Sequence, residues 1–131
     1  MVKIPDNAKC VFNGILYDVY QWEQEQFDGT KKTFEALRRL PTVKVIAILD
    51  GSVVLLDEEQ PSLNNFLDIP GGRMDGYNDS ELKTAKRELL EETGLDANNM
   101  ELWRVLETST KIDWPIHYYI AKDCKKIQEP E

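Results

Sequence analysis

The chain has 131 residues and a mass of 15.2 kDa, the size of one compact domain or of a core domain with a small annex. Hydrophobic residues make up 41% and charged residues 31% of it, which is the composition of a globular protein. Because 24 acidic residues outweigh 16 basic ones, the net charge is −8, which excludes a general attraction to nucleic acid or anionic lipid. A substrate that is a phosphate ester would need a cation to screen these carboxylates.

The sequence carries no sign of a membrane or an export pathway. The longest apolar runs, residues 43–49 and 53–56, are too short to span a bilayer, and the N-terminus lacks an apolar signal core. Cys10 and Cys124 have neither metal-type spacing nor a disulfide framework. We therefore expect a reduced, soluble, cytoplasmic protein that binds neither nucleic acid nor a membrane.

The first forty residues favour β structure, because β-branched and aromatic residues are frequent there. Asp28-Gly29 predicts a hairpin turn that leads into residues 31–40. Pro41 marks the boundary of this part. We predict a small antiparallel β annex over residues 1–40, followed by a core over residues 41–131.

The core begins with a near-continuous apolar run at residues 43–49, typical of a strand that is buried on both faces. Asp50-Gly51 predicts a turn into a second strand at residues 52–56. Residues 57–68 are polar and interrupted by proline, which predicts a loop. Two further strands are expected near residues 101–108 and 116–121. The fold class predicted from these elements is α+β or α/β with a mixed sheet.

One helix is predicted, over residues 80–93. Asp79 or Ser80 can cap its start, and Gly94 is placed to end it. Leu82, Ala85 and Leu89 recur at spacings that form one core-facing stripe.

Three glutamates cluster on this helix. Glu88, Glu91 and Glu92 fall within an arc of roughly 100°, since successive helical residues turn by about 100°. Like charges at these spacings repel one another, and a divalent cation such as Mg²⁺, which prefers oxygen ligands, would offset the repulsion. A charged helix is also commonly just a solvated face, so spacing alone leaves both interpretations open.

Two neighbouring features add to the metal-site interpretation. Arg87 can pair with an adjacent carboxylate and fix its orientation. The double glycine Gly71-Gly72 lets the backbone approach a metal or a pyrophosphate without a Cβ in the way.

These residues together resemble a known family. The run Arg87-Glu88-Leu89-Leu90-Glu91-Glu92-Thr93-Gly94-Leu95 is similar at every defined position to the second half of the Nudix box, Arg-Glu-U-x-Glu-Glu-x-Gly-U, where U is a bulky aliphatic residue. Gly72 stands where the box opens with a glycine. Residues 19–30, 32–39 and 58–61 resemble the ADP-ribose pyrophosphatase branch of the family.

The resemblance implies an α/β/α sandwich with a mixed β-sheet, preceded by the β annex, although the usual C-terminal helix is absent from the sequence. It implies that Mg²⁺ or Mn²⁺ is held by Glu88, Glu91, Glu92 and the backbone of Gly72. These glutamates and Arg87 then form the catalytic group, and Glu88 or a later loop glutamate assists as base. In that branch the annex helps to form a homodimer and supplies residues that bind substrate.

Two departures from the family pattern concern the first half of the box. The glutamate that the family places eight residues before the arginine is Asp79 here. Six residues separate Gly72 from Asp79, where the family has five. We expect Asp79 to support Arg87 from behind the metal ligands. The shorter side chain and the added residue either compensate for each other or weaken the site.

Candidates for substrate binding lie outside the helix, and they are Arg38, Arg39, Trp22, Trp114 and Arg73. Arg38 and Arg39 stand where the branch places basic residues of the annex, although a solvated strand end is an equal alternative. Tryptophan rings suit stacking on adenine, whereas packing in a core or an interface is their commoner fate. Arg73 directly follows the double glycine.

The leading hypothesis is metal-dependent hydrolysis of the diphosphate bond of ADP-ribose or a similar nucleoside diphosphate sugar, which gives a nucleoside monophosphate and a sugar phosphate. One alternative is a Nudix-fold module that senses a nucleotide without cleaving it, which the altered first half of the box would favour. Another is a Nudix hydrolase for a different nucleoside diphosphate derivative. Release of product in the presence of Mg²⁺ separates the enzyme from the sensor.

Overall fold

A computed structural model describes residues 3–131 and contains one helix and eleven strands over that range. The elements in chain order are β1 (Lys9–Asn13), β2 (Asp18–Glu25), β3 (Lys31–Arg38), β4 (Thr42–Leu49), β5 (Ser52–Val53), β6 (Leu56–Gln60), β7 (Leu63–Asp68), β8 (Gly71–Arg73), α1 (Glu81–Thr93), β9 (Leu95–Glu107), β10 (Ile112–Asp113) and β11 (Pro115–Lys126). The predicted fold class, a mixed α+β protein, is confirmed.

The chain divides into two compact units. The first contains the described residues up to Leu40 together with Glu107–Pro115, and the second contains Pro41–Leu106 and Ile116–Glu131. Sequence reasoning had assigned residues 107–115 to the core.

The first unit is a four-stranded sheet in the order β1-β2-β3-β10. β1, β2 and β3 pair antiparallel, whereas β10 runs parallel to β3 with Ile112 opposite Leu37. The hairpin turn between β2 and β3 is confirmed: Gly29 has a φ of 85°, and the Gln26 N–H donates to the Thr30 carbonyl at 2.7 Å. Glycine suits this turn because a positive φ carries no steric cost without a Cβ.

The second unit is built on a mixed sheet in the order β5-β4-β11-β9, with β8 also paired to β4. β4 is parallel to β11 and antiparallel to β8. As its apolar run predicted, Val43, Val45 and Ala47 of β4 are fully buried. The helix α1 contacts β4 and β8, so its buried face closes the core.

The predicted loop at residues 57–68 is wrong, because β6 and β7 form an antiparallel hairpin there, with Leu56 opposite Asp68. The expected strand at residues 52–56 is correspondingly divided between β5 and the start of β6. Most side chains of the hairpin are exposed, so backbone pairing rather than burial defines these strands. A pattern of hydrophobic residues cannot reveal such a hairpin.

Two further observations concern membrane-spanning helices and the cysteines. Among residues 3–131, no helix combines the length and the apolar character that crossing a membrane requires. Both cysteines are free, Cys10 being exposed and Cys124 buried.

Candidate active site

The helix α1 positions the predicted catalytic residues, and its ends follow from its sequence. The Ser80 hydroxyl accepts a hydrogen bond from the Lys83 N–H at 3.2 Å and caps the start. Gly94 ends the helix with a φ of 73°, and its N–H donates to the Leu90 carbonyl. Ala85 and Leu89 are buried as predicted, but Leu82 is exposed and Thr84 occupies the buried face instead.

Glu88 and Glu92 form a close carboxyl pair on this helix. The two carboxyl groups are close enough for each to affect the pKa of the other. The Gly71 N–H also donates to Glu92 Oε1 at 3.1 Å. Strand β8 and the helix thus orient the pair together.

The pKa values of both carboxyl groups lie above their ordinary value. Burial is the largest cause for each, since it disfavours the charged form. The pKa of Glu92 is raised to about 7, with the hydrogen bond and negative charge of Glu88 adding to the effect of burial. A bound cation would stabilise the ionised forms of these two neighbouring carboxyl groups and so lower their pKa values.

Gly72 lies directly against Glu88. A Cβ placed on Gly72 would be only 2.5 Å from Glu88 Oε1, so only glycine fits beside this carboxylate without displacing it. The predicted role of the double glycine, close backbone approach to the site, is consistent with this geometry.

Arg87 contacts three carboxylates around the site. Its guanidinium lies 3.4 Å from Glu88 Oε1, 3.3 Å from Glu91 Oε2 and 3.5 Å from Asp75 Oδ2. Asp75 thus stands where Asp79 was expected to act on Arg87. Asp79 lies in the turn before α1, where its N–H donates to the Gly76 carbonyl at 3.2 Å, and its supporting role stays a prediction.

The donor set fits a hard divalent cation, because the helix offers carboxylate oxygens and β8 offers backbone oxygens. Within residues 3–131, however, no three acidic, histidine or cysteine side chains already form a cluster that would hold a metal ion. Glu88 and Glu92 are paired with each other, whereas Glu91 is hydrogen-bonded to Arg87.

Sequence reasoning did not single out two carboxylates near this group. The negative charge of Glu58, on β6, raises the pKa of Glu92. Asp75 contacts Arg87 from the loop that precedes α1. Glu58 begins the segment 58–61 that resembles the branch, but no role was predicted for it and the segment was predicted to be a loop. Asp75 lies among the residues that depart from the family spacing.

The first unit contains four of the five candidate substrate-binding residues. The Arg39 guanidinium lies 4.1 Å from the centre of the Trp114 ring and 5.5 Å from that of Tyr17. Arg38 is paired with Asp113 instead. Trp22 packs edge-on against Phe34, with ring centres 6.2 Å apart, as expected for a cross-strand pair. Arg73 of the second unit lies exposed at the end of β8, opposite Thr42 of β4.

Comparison with known proteins agrees with this fold. The chain is 31% identical over 119 residues to a methanol dehydrogenase activator of Bacillus methanolicus, an alignment that covers 88% of the chain and 64% of that protein. It thus spans less than two thirds of the length of this relative. The solved structure described as an ADP compounds hydrolase superposes with a TM-score of 0.77 at 22% identity, covering 100% of this chain and 74% of the other. The NUDIX domain family model matches residues 38–131. This chain therefore belongs to the Nudix family.

Proposed function

We propose that the protein is a metal-dependent hydrolase that cleaves the diphosphate bond of ADP-ribose or a similar nucleoside diphosphate sugar. The observation that carries the proposal is the half-buried pair of carboxyl groups of Glu88 and Glu92, with Glu88 against Gly72, on a helix that matches the family's sequence pattern. The likeness to an ADP compounds hydrolase supports this choice of substrate class.

Glu88, Glu91, Glu92 and the backbone of Gly72 are the groups that would hold Mg²⁺ or Mn²⁺. The chemistry such an ion supplies when bound is neutralisation of phosphate charge and activation of water. The chain's own part is to hold these oxygens in place: the Gly71 N–H orients Glu92, and Arg87 restrains Glu88 and Glu91. Arg87 is in this respect a positioning residue.

In the proposed reaction the oxygen of water attacks one phosphorus of the diphosphate. The bond between that phosphorus and the bridging oxygen breaks, and the bridging oxygen leaves with the other phosphate. Glu88, or a glutamate of a later loop, would accept the proton of the water. ADP-ribose would give AMP and ribose 5-phosphate.

Substrate recognition is proposed to use the predicted arginines and tryptophans. Arg39 and Trp114 support this best, because a guanidinium stacked on an indole presents both a cation and a flat aromatic surface. Arg38, Trp22 and Arg73 remain candidates. We further propose that residues 1–40 act as an annex that forms a homodimer, that residues 41–131 form the catalytic core, and that the protein works in the cytoplasm.

The test is a product screen over ADP-ribose, other nucleoside diphosphate sugars, NADH and dinucleoside polyphosphates, each with Mg²⁺, Mn²⁺ or EDTA. We expect a nucleoside monophosphate and a sugar phosphate, released only with a cation. Glu88→Gln and Glu92→Gln should abolish turnover, whereas the matched control Glu81→Gln, on the same helix, should retain it. Binding of ADP-ribose without any product would instead support the sensor.

A further inference from the structure

Two neighbouring arginines at the end of β3 have different surroundings. Arg38 Nε donates to Asp113 Oδ2 at 2.9 Å, and its guanidinium lies 5.1 Å from the centre of the Tyr20 ring. The Arg39 guanidinium lies against Trp114, and its buried Nε has no hydrogen-bond acceptor among the described residues. The Arg38 side chain is thus fixed by Asp113, whereas the Arg39 Nε–H donor is not used in the described part of the chain.

Asp113 contacts both arginines. Its carboxylate accepts the hydrogen bond from Arg38, and its backbone carbonyl accepts one from the Arg39 N–H at 3.2 Å. Asp113 is also the residue of β10 that stands opposite Arg38 in the parallel pairing with β3. The residue that follows β10 is Trp114, and its ring lies against the Arg39 guanidinium.

We infer that Asp113 is a positioning residue, whose carboxylate anchors β10 to Arg38 and thereby places Trp114 against Arg39. The ion pair is partly shielded from water, with side chains 30% and 35% exposed. The charge-assisted hydrogen bond is therefore stronger than one between freely exposed partners. The ladder that joins β10 to β3 is only two residues long, so the ion pair adds substantially to the anchoring of β10.

The arrangement separates the roles of the two arginines. Arg38 serves the framework, and Arg39 with Trp114 combines a cation with a flat aromatic ring. A ligand that combines a planar ring with an anionic group, such as a nucleotide, matches this pair. The ligand assignment rests on the proposed function, but the placement of Trp114 by Asp113 does not.

The first experiment examines placement in the free protein. With Trp22→Phe and Trp103→Phe, Trp114 is the sole tryptophan, and its emission reports its own surroundings. Asp113→Ala should shift that emission to longer wavelength and increase quenching by acrylamide, whereas the control Glu23→Gln, an exposed charge on β2, should leave both unchanged. Unchanged Trp114 emission and quenching in Asp113→Ala would overturn the inference, whatever the substrate is.

The second experiment uses turnover of the substrate found in the product screen. Asp113→Ala should raise KM about tenfold and leave kcat within about twofold, because binding is impaired while the chemistry is not. Asp113→Asn keeps an acceptor for Arg38 Nε without its charge, so its KM should rise only about threefold at an unchanged melting temperature. It also carries the test if Asp113→Ala does not fold. A wild-type KM in Asp113→Asn, or a loss of kcat with unchanged KM in Asp113→Ala, would overturn the positioning role.

A double-mutant cycle shows whether Asp113 acts through Trp114. Trp114→Ala should raise KM, and adding Asp113→Ala should raise it no further, since the residue being positioned is already gone. Full additivity of the two effects would overturn the inference. If no nucleotide derivative yields product, the proposed function fails, and the emission of Trp114 still decides the placement.

Discussion

Gly72 and Glu88 touch so closely that the backbone of one determines the side-chain position of the other. A Cβ on Gly72 would come within 2.5 Å of Glu88 Oε1, a distance at which one of the two groups must move. The carboxylate is the end of a flexible side chain and can shift more readily than the backbone can.

We therefore expect Gly72→Ala to impair activity much more than folding. Displacing Glu88 should lower kcat by about tenfold or more, while the melting temperature changes by only a few degrees. Gly76→Ala is the matched control, because its Cβ would meet only Asp79, at an ordinary 3.6 Å. Steady-state kinetics and thermal denaturation of both variants measure this, and equal activity in the two would contradict the assigned contact.

The carboxyl pair predicts how the stability of the metal-free protein depends on pH. The pKa of Glu92 is raised from 4.5 to about 7, mainly by burial, so its protonated form is favoured in the folded state. Its stabilising contribution is fully present below pH 4.5 and is lost as the pH rises through 7. Allowing for solvent screening, we expect a loss on the order of 1 kcal/mol between pH 5.5 and 8.5.

Urea denaturation in EDTA tests this expectation. Glu92→Gln cannot ionise, so its free energy of unfolding should change less with pH than that of the wild type and should exceed it at pH 8.5. Glu101→Gln, an exposed change of the same kind, is the control. If the two variants show the same pH dependence, the raised pKa of Glu92 does not contribute to the stability of the folded state.

Much of the helix could be predicted because its determinants are local. Ser80 and Gly94 are residues whose side chain or conformational freedom ends a helix within one turn, so both boundaries could be read from the sequence. The β6–β7 hairpin could not, since its strands bury little. Neither could the Arg38–Asp113 pair, whose members are 75 residues apart and meet only through folding.

Substitutions of Arg87 and of its neighbours Asp75 and Asp79 show which of these side chains the catalytic glutamates depend on. Removing it in Arg87→Ala frees Glu88 and Glu91 from a shared partner, and we expect kcat to fall about tenfold to a hundredfold. Asp75→Asn should lower activity less than threefold, because Asp75 is mostly exposed and such pairs contribute about 1 kcal/mol or less. If Asp79→Ala lowers activity more than Asp75→Asn, Asp79 has the supporting role that the sequence pattern predicts.

The two cysteines should differ sharply in reactivity. Cys10 is exposed, whereas burial raises the pKa of the Cys124 thiol and excludes reagent from it. A thiol reagent such as Ellman's should therefore modify one cysteine per native chain quickly and the second only on unfolding. Cys10→Ser should remove the fast phase; a fast phase that survives would mean that β11 opens locally around Cys124.

The exposed apolar side chains of the first unit predict that the protein forms a homodimer. Its strands expose several large apolar side chains, with Val11, Phe12, Leu16 and the fully exposed Ile15 close together in the chain around the β1–β2 turn. Apolar surface of this kind marks an interaction site, and a sheet of so few strands gains stability from a partner. A two-fold pairing of copies would cover this surface on both copies at once.

We expect a particle of about twice 15.2 kDa by light scattering at tens of micromolar. Phe12→Asp should give the monomer mass, because the charge would be buried without a partner. Ile127→Asp, an equally exposed apolar position in the second unit, should leave the dimer intact. A monomer in the wild type would remove the dimer, and dissociation by Ile127→Asp alone would move the interface to the second unit.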